Sequence, residues 1–129
     1  MQCKFHHVAL SVKNFDKVVA FYKEILDLKE KISWDMDGTP ATMLEMADGG
    51  IIEVFGNGSD AKEQDSKWGH LAVVVDDVPG AYKKALELGA KSHIEPAFAD
   101  IAGGGNSMKV EIAFVIGLGG EILEFFKVV

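Results

Sequence analysis

An α+β fold made of two copies of a βαβββ unit is predicted by three observations. The segment His7-Val8-Ala9-Leu10-Ser11-Val12 returns as His70-Leu71-Ala72-Val73-Val74-Val75. A stretch with helical periodicity follows each copy. Each half then closes on an apolar strand with a glutamate inside it, Gly50-Ile51-Ile52-Glu53-Val54-Phe55 and Glu121-Ile122-Leu123-Glu124-Phe125-Phe126. In 129 residues there is room for one ordinary domain and not for two independent ones, so the repeat is expected to share a single domain over 1–129. Module one is placed at about 1–57 and module two at about 67–129.

The elements follow in order. Residues 5–12 alternate, with Val8, Leu10 and Val12 on one parity and His7, Ala9 and Ser11 on the other, as a half-buried strand requires. A helix is predicted over 15–27, where Phe15, Val18, Val19, Tyr22, Ile25 and Leu26 recur at three and four behind an N-cap at Asn14. A second strand spans Lys29 to Met36. The turn signal Asp37-Gly38-Thr39-Pro40 leads to strands at Thr42–Met46 and Ile51–Phe55, joined through Asp48-Gly49-Gly50. Residues 57–67 are polar and turn-rich and read as a linker.

The pattern then restarts. Leu71, Val73 and Val75 take the core-facing parity, Asp77 caps a helix with Pro79 in its first turn, and Gly89 ends it after a stripe of Val78, Ala81, Tyr82, Ala85 and Leu86. Strands are expected near 91–98, 108–116 and 121–128. The histidines are offset by 70 − 7 = 63 and the glutamates by 124 − 53 = 71, so the second copy carries eight extra residues. Ile101-Ala102-Gly103-Gly104-Gly105-Asn106-Ser107 reads as their place, a mobile loop that could serve as a lid.

Composition removes several function classes. A net charge of −7 without a basic cluster argues against nucleic acid, which is held by clustered Lys and Arg. Nothing in the chain reads as a membrane span or a signal peptide, and Cys3 alone gives no disulfide framework, so a soluble protein in a reducing, cytoplasmic compartment is expected. All 13 basic residues are lysine.

Parity connects the repeat to chemistry. His7 and His70 lie opposite the large apolar side chains of their strands and so point away from their helices. Glu53 shares a face with Ile51 and Phe55, and Glu124 with Ile122 and Phe126, while Ile52, Val54, Leu123 and Phe125 take the other face. Two neutral imidazoles and two carboxylates are a donor set for a divalent first-row metal. Should the two sheets curve toward each other, the four groups would meet in a partly apolar pocket. Each histidine taken singly also reads as a satisfied strand-end residue. A glutamate in mid-strand among apolar neighbours is harder to explain away, because burying it unpaired costs on the order of several kcal/mol, and it occurs at the equivalent point of both units.

Other polar residues rank lower. His6, of opposite parity to His7, is expected at the core edge or behind a ligand. His93 and Glu95 read as a solvated strand face or a substrate contact. Glu45 and Glu111 have no repeat-matched partner. Gly103-Gly104-Gly105 lacks the Lys-Ser/Thr of a phosphate loop. Trp34, Met36, Met43, Met46 and Trp68 are expected in the core or lining a cavity.

The two opening strands, the two closing strands, and Phe21-Tyr22 followed by Ile25-Leu26 resemble the vicinal oxygen chelate (glyoxalase, bleomycin resistance, dioxygenase) superfamily over nearly the whole chain. The resemblance implies a curved, U-shaped mixed sheet around a metal site, often with dimerisation contributing to it. His7, Glu53, His70 and Glu124 match the quartet of bacterial glyoxalase I. Epimerases of the superfamily typically have glutamine where Glu53 stands, dioxygenases use two histidines and the last glutamate, and bleomycin binders lack the set.

The implied activity is a metal-dependent, glyoxalase-like lyase or isomerase, similar to lactoylglutathione lyase. It moves a proton on a metal-chelated hydroxy-carbonyl substrate such as a thiol hemithioacetal of methylglyoxal. Glu124 would be the base and Glu53 would act on the opposite face. The implied cofactor is a divalent ion, nickel, cobalt or zinc before manganese or iron, and the implied assembly a homodimer acting on a small molecule. The alternatives are an iron-dependent extradiol-type dioxygenase and a metal-free, drug-resistance-like binding protein.

Two positions depart from the pattern. Where the family commonly has an arginine for glutathione carboxylates, four residues after the first histidine, the chain has Ser11, and no arginine occurs elsewhere. Lysine supplies charge without the bidentate fork. Gly117-Leu118-Gly119-Gly120 replaces the usual Asp-Pro-Asp-Gly turn before the last strand.

Overall fold

The computed structural model describes residues 2, 5–58, 70–103 and 106–129 of the protein, without side chains at 102, 103 and 106. The chain divides into two compact units, Met1–Ala61 and Lys62–Val129. Cys3, Trp68, Gly104, Gly105 and most of the linker expected at 57–67 lie outside the described residues.

The first unit runs β1 (His7–Ser11), α1 (Phe15–Ile25), β2 (Lys29–Met36), β3 (Thr39–Glu45) and β4 (Ile51–Phe55). Its sheet has the order β1-β4-β3-β2, with β1 parallel to β4 and the other pairs antiparallel. The parallel pair needs a crossover, and the helix and the β2–β3 hairpin supply it. Leu10, Leu44, Ile52 and Val54 of the sheet are buried, as is Val12 just beyond β1, and Val18, Phe21 and Tyr22 are the buried residues of α1. Phe21 lies outside the expected stripe, with its ring edge-on to Tyr22 at 5.1 Å. The Asn14 carbonyl accepts from the Val18 amide at 2.9 Å, but its side chain makes no capping bond.

The second unit runs β5 (Leu71–Val74), α2 (Val78–Glu87), β6 (Lys91–Gly103), β7 (Asn106–Ile116) and β8 (Ile122–Val128). Its order β5-β8-β7-β6 and its strand directions repeat those of the first. Asp77 caps α2 by accepting from the Gly80 amide at 3.0 Å, and Pro79 lies in the first turn. Val78, Ala85, Ala113, Val115, Leu123 and Phe125 are buried. The two four-stranded mixed sheets and two helices make the α+β, two-module architecture that the repeat predicts.

Turns preserve the duplication even where the sequences differ. Ahead of β4 the Gly49 amide donates to the Met46 carbonyl at 3.0 Å, and ahead of β8 the Gly120 amide donates to the Gly117 carbonyl at 3.1 Å. Each loop is closed by a second bond of 2.8 Å, from Met46 N–H to the Gly50 carbonyl and from Gly117 N–H to the Glu121 carbonyl. Gly49 and Gly120 have φ of +90° and +85°, the left-handed region that favours glycine. The unusual Gly117–Gly120 turn therefore keeps the bonds of its counterpart.

Two expectations are corrected. The turn after Met36 is confined to Asp37 and Gly38, with φ of +52° and +91°, so Thr39 and Pro40 already belong to β3. Residues 101–103 and 106–107 are paired strand rather than loop, since Ile101↔Met108, Ala102↔Ser107 and Gly103↔Asn106 continue the β6–β7 ladder. The hairpin Lys91–Ile116 spans 26 residues where Lys29–Glu45 spans 17, a lengthening by nine that more than takes up the net eight extra residues. Among the described residues no helix is long and apolar enough to cross a membrane.

Candidate functional site

Strand register decides which side chains can meet. In the first unit Ala9 lies opposite Glu53 in the parallel β1–β4 pair, and in the second Ala72 lies opposite Glu124 in β5–β8. Each histidine is two residues before that alanine; His7, inside β1, shares the face of Glu53 because side chains alternate along a strand, and His70, just ahead of β5, is placed beside Glu124 by direct contact. His7 Nε2 is 3.6 Å from Glu53 Oε1, and His70 Nε2 is 2.8 Å from Glu124 Oε2. Both glutamates are 7% exposed, whereas the two imidazoles are about two-fifths open to solvent.

The structure pairs the predicted residues within each unit, His7 with Glu53 and His70 with Glu124. Among the described residues no group of three or more His, Cys, Asp or Glu is placed to hold a metal within reach of one another. Each pair by itself offers two donors of kinds that a first-row metal accepts. The imidazole offers a nitrogen lone pair and the carboxylate an oxygen, and in each unit the two groups lie within ion-pair distance.

The rows that cross each sheet show what surrounds the pairs. In the first, Ala9, Glu53, Met43 and Ile32 lie side by side across four strands. In the second the row is Ala72, Glu124, Phe114 and Ile94. The next rows are Ser11, Phe55, Ala41 and Trp34, and Val74, Phe126, Ile112 and Ala97. Trp34 meets Phe55 edge-on at 6.1 Å. Each carboxylate thus emerges from an apolar surface on the side of the sheet that its histidine shares.

The lower-ranked residues find their places. His6 supports His7 directly, with Nδ1 to Nδ1 at 2.8 Å, a contact in which one ring must donate and the other accept. Should His7 carry its proton on Nδ1, its Nε2 lone pair is free beside Glu53. Glu45 is engaged by Lys31 at 3.0 Å. Glu111 lies opposite Lys127, one residue out of step with Phe114 and Ile112. Met36 is 42% exposed, which takes it out of the core.

Sequence reasoning misses Phe114. Its ring stands edge-on to His70 at 5.3 Å and 87° and to His93 at 6.4 Å and 74°. The parity of Phe114 with Ile112 and Ile116 is the available signal, and it needs the β7–β8 register to connect it to Glu124.

Comparison with known proteins places this geometry in a family. The model described as Glyoxalase/Bleomycin resistance protein/Dioxygenase superfamily matches residues 4–103. The protein YwbC of Bacillus subtilis (strain 168) is 27% identical over 131 residues, covering 98% of this chain and 99% of its own. Among solved structures, glyoxalase I of Zea mays superposes with a TM-score of 0.75 at 22% identity, over 95% of this chain and 44% of its own. This chain thus spans less than half the length of the maize enzyme. A mutant of the fosfomycin resistance protein FosX of Listeria monocytogenes, complexed with Mn(II) and 1S,2S-dihydroxypropylphosphonic acid, gives 0.71 at 18% identity over 97% of this chain and 90% of its own. At these identities the structural likenesses establish the fold.

Proposed function

The chain belongs to the glyoxalase/bleomycin resistance protein/dioxygenase superfamily, and from that premise we propose that it is a metal-dependent, glyoxalase-like lyase or isomerase. His7, Glu53, His70 and Glu124 would hold one divalent ion, with the two units serving as one functional domain, alone or in a homodimer. The observation that carries the reading is the repeat-equivalent burial of two carboxylates, each with its own imidazole, on apolar sheet faces. A purely structural pair would have little reason to recur at the same register in both units, since burying the charge opposes folding.

The ion would supply Lewis acidity to two adjacent oxygens of a hydroxy-carbonyl substrate. The protein's own groups do the rest. Glu124 takes the carbon-bound proton on a carboxylate oxygen and returns it to the neighbouring carbon, while Glu53 can do the same from the other side. The apolar neighbours Phe114 and Met43 limit the water beside these carboxylates, which keeps the moved proton from exchanging freely. His7 and His70 would anchor the ion and carry no proton of the reaction.

The equal burial of Glu53 and Glu124 favours a four-ligand site over the three-ligand set of an extradiol-type dioxygenase. A metal-free binding protein is the second reading, favoured by the open apolar surface of Ile32 and Ile94 in the rows that carry the carboxylates. Both are separated from the first by one experiment. Untagged protein is assayed for bound metal, then for turnover of methylglyoxal hemithioacetals with added nickel, cobalt, zinc or manganese, alongside Glu53→Gln and Glu124→Gln. Metal-dependent turnover lost in both variants is expected. Oxygen uptake with catechols that survives Glu53→Gln indicates the dioxygenase, and ligand binding that survives both chelation and Glu124→Gln indicates the binder.

A further inference from the structure

We infer that the substrate carries an apolar, preferably aromatic, arm packed against Phe114 beside the His70–Glu124 pair, and that the site disfavours a substrate held by carboxylates. The inference rests on the proposed active site and names its substrate class. Phe114 is the neighbour of Glu124 in the β7–β8 register, and its ring is edge-on to both His70 and His93. His93 lies in the β-bulge between Ser92 and Ile94 with its ring edge-on to Phe114, so the second unit presents aromatic rings next to a carboxylate. Ile94 continues that row and is 42% exposed, so apolar surface there is open to a ligand. The corresponding row of the first unit, Met43 and Ile32, is apolar but not aromatic.

Charge points the same way. The chain has no arginine, and its net charge is −7. Among the described residues, the lysines that register places on these two faces, or in a bulge beside them, are Lys29, Lys31 and Lys91 on the outer strands β2 and β6. Lys31 is already engaged by Glu45. The outer strands lie two strands away from the glutamates, roughly 10 Å, so these cations are poorly placed to offset Glu53 and Glu124 for an anionic ligand. An aryl group gains from burial against Phe114, whereas an added carboxylate meets like charge.

The test uses nickel-loaded protein and three bidentate probes, acetohydroxamate, benzohydroxamate and 4-carboxybenzohydroxamate, titrated by calorimetry. Benzohydroxamate is expected to bind more tightly than the carboxylated probe by about tenfold or more. Phe114→Leu, which keeps an apolar side chain but removes the aromatic ring, should remove most of the advantage of benzohydroxamate over acetohydroxamate. Equal or tighter binding of the carboxylated probe, an equal loss for both uncharged probes in Phe114→Leu, or no binding of benzohydroxamate overturns the inference. Repeating the titrations in EDTA separates it from the metal reading. An aryl preference that persists without metal supports the aromatic wall independently of the metal reading, while metal-dependent hydroxamate binding without an aryl preference overturns the inference and leaves the metal reading standing.

Discussion

Burying a carboxylate among apolar side chains opposes folding, and Glu53 and Glu124 are each 7% exposed. A residue kept for function against this cost should, when neutralised, leave a more stable protein. For Glu124→Gln in metal-free solution the melting temperature is expected to rise by about 3 °C, corresponding to about 1 kcal/mol. A fall of similar size would mean that Glu124 serves stability through its 2.8 Å contact with His70. His6 allows a second test at this scale. Its Nδ1 lies 2.8 Å from that of His7, and if His7 is a ligand as proposed, such an outer partner commonly contributes about tenfold or more to metal affinity. His6→Ala should therefore weaken nickel binding about tenfold in a competition titration, with little effect on the melting temperature of the metal-free protein. The His–Glu pairing is legible in the sequence because strand parity fixes it. For His6 the sequence leaves a core edge and a place behind a ligand both open, and the 2.8 Å ring contact decides for the second.

At the scale of elements, the two helices begin in different ways, and the difference is measurable. The Asp77 side chain accepts from the Gly80 amide, while Asn14 makes no such bond. Asp77→Ala should cost about 1 kcal/mol in urea unfolding, and Asn14→Ala no more than a few tenths. A cost for Asn14→Ala equal to that for Asp77→Ala would contradict this asymmetry. The caps also mark the limit of reading elements from sequence. Asn and Asp are equally good candidates by residue type, and only the backbone at the cap, with φ −92° and ψ 62° at Asn14 against −130° and 93° at Asp77, distinguishes them. The β6–β7 hairpin escapes a sequence reading for a related reason. Glycine and asparagine signal a loop by their local freedom, but ladder pairing carries the strands through Gly103 and Asn106. What the duplication does make legible is the order of elements along the chain, since βαβββ recurs in both units.

For the molecule as a whole, the proposed four-ligand site carries a stoichiometry that can be measured. Each unit supplies one imidazole and one carboxylate, half the donors that a tetrahedral or larger coordination shell needs. Two donors alone bind a divalent ion weakly, whereas four bring two negative charges to neutralise it. Saturation at one ion per chain is therefore expected in the proposed enzyme, and two per chain would mean that the pairs act separately. Since the ion would bind folded protein and not the separated half-sites of an unfolded chain, it should stabilise by about 2.7 kcal/mol when free metal is a hundredfold above its dissociation constant. Thermal melts with increasing nickel should rise accordingly and return to the metal-free value with EDTA. Either His7→Ala or His70→Ala should abolish the rise, because removing a ligand from one unit disables the donors of the other. A rise that survives in one of the two variants would assign the ion to a single unit and end the four-ligand proposal.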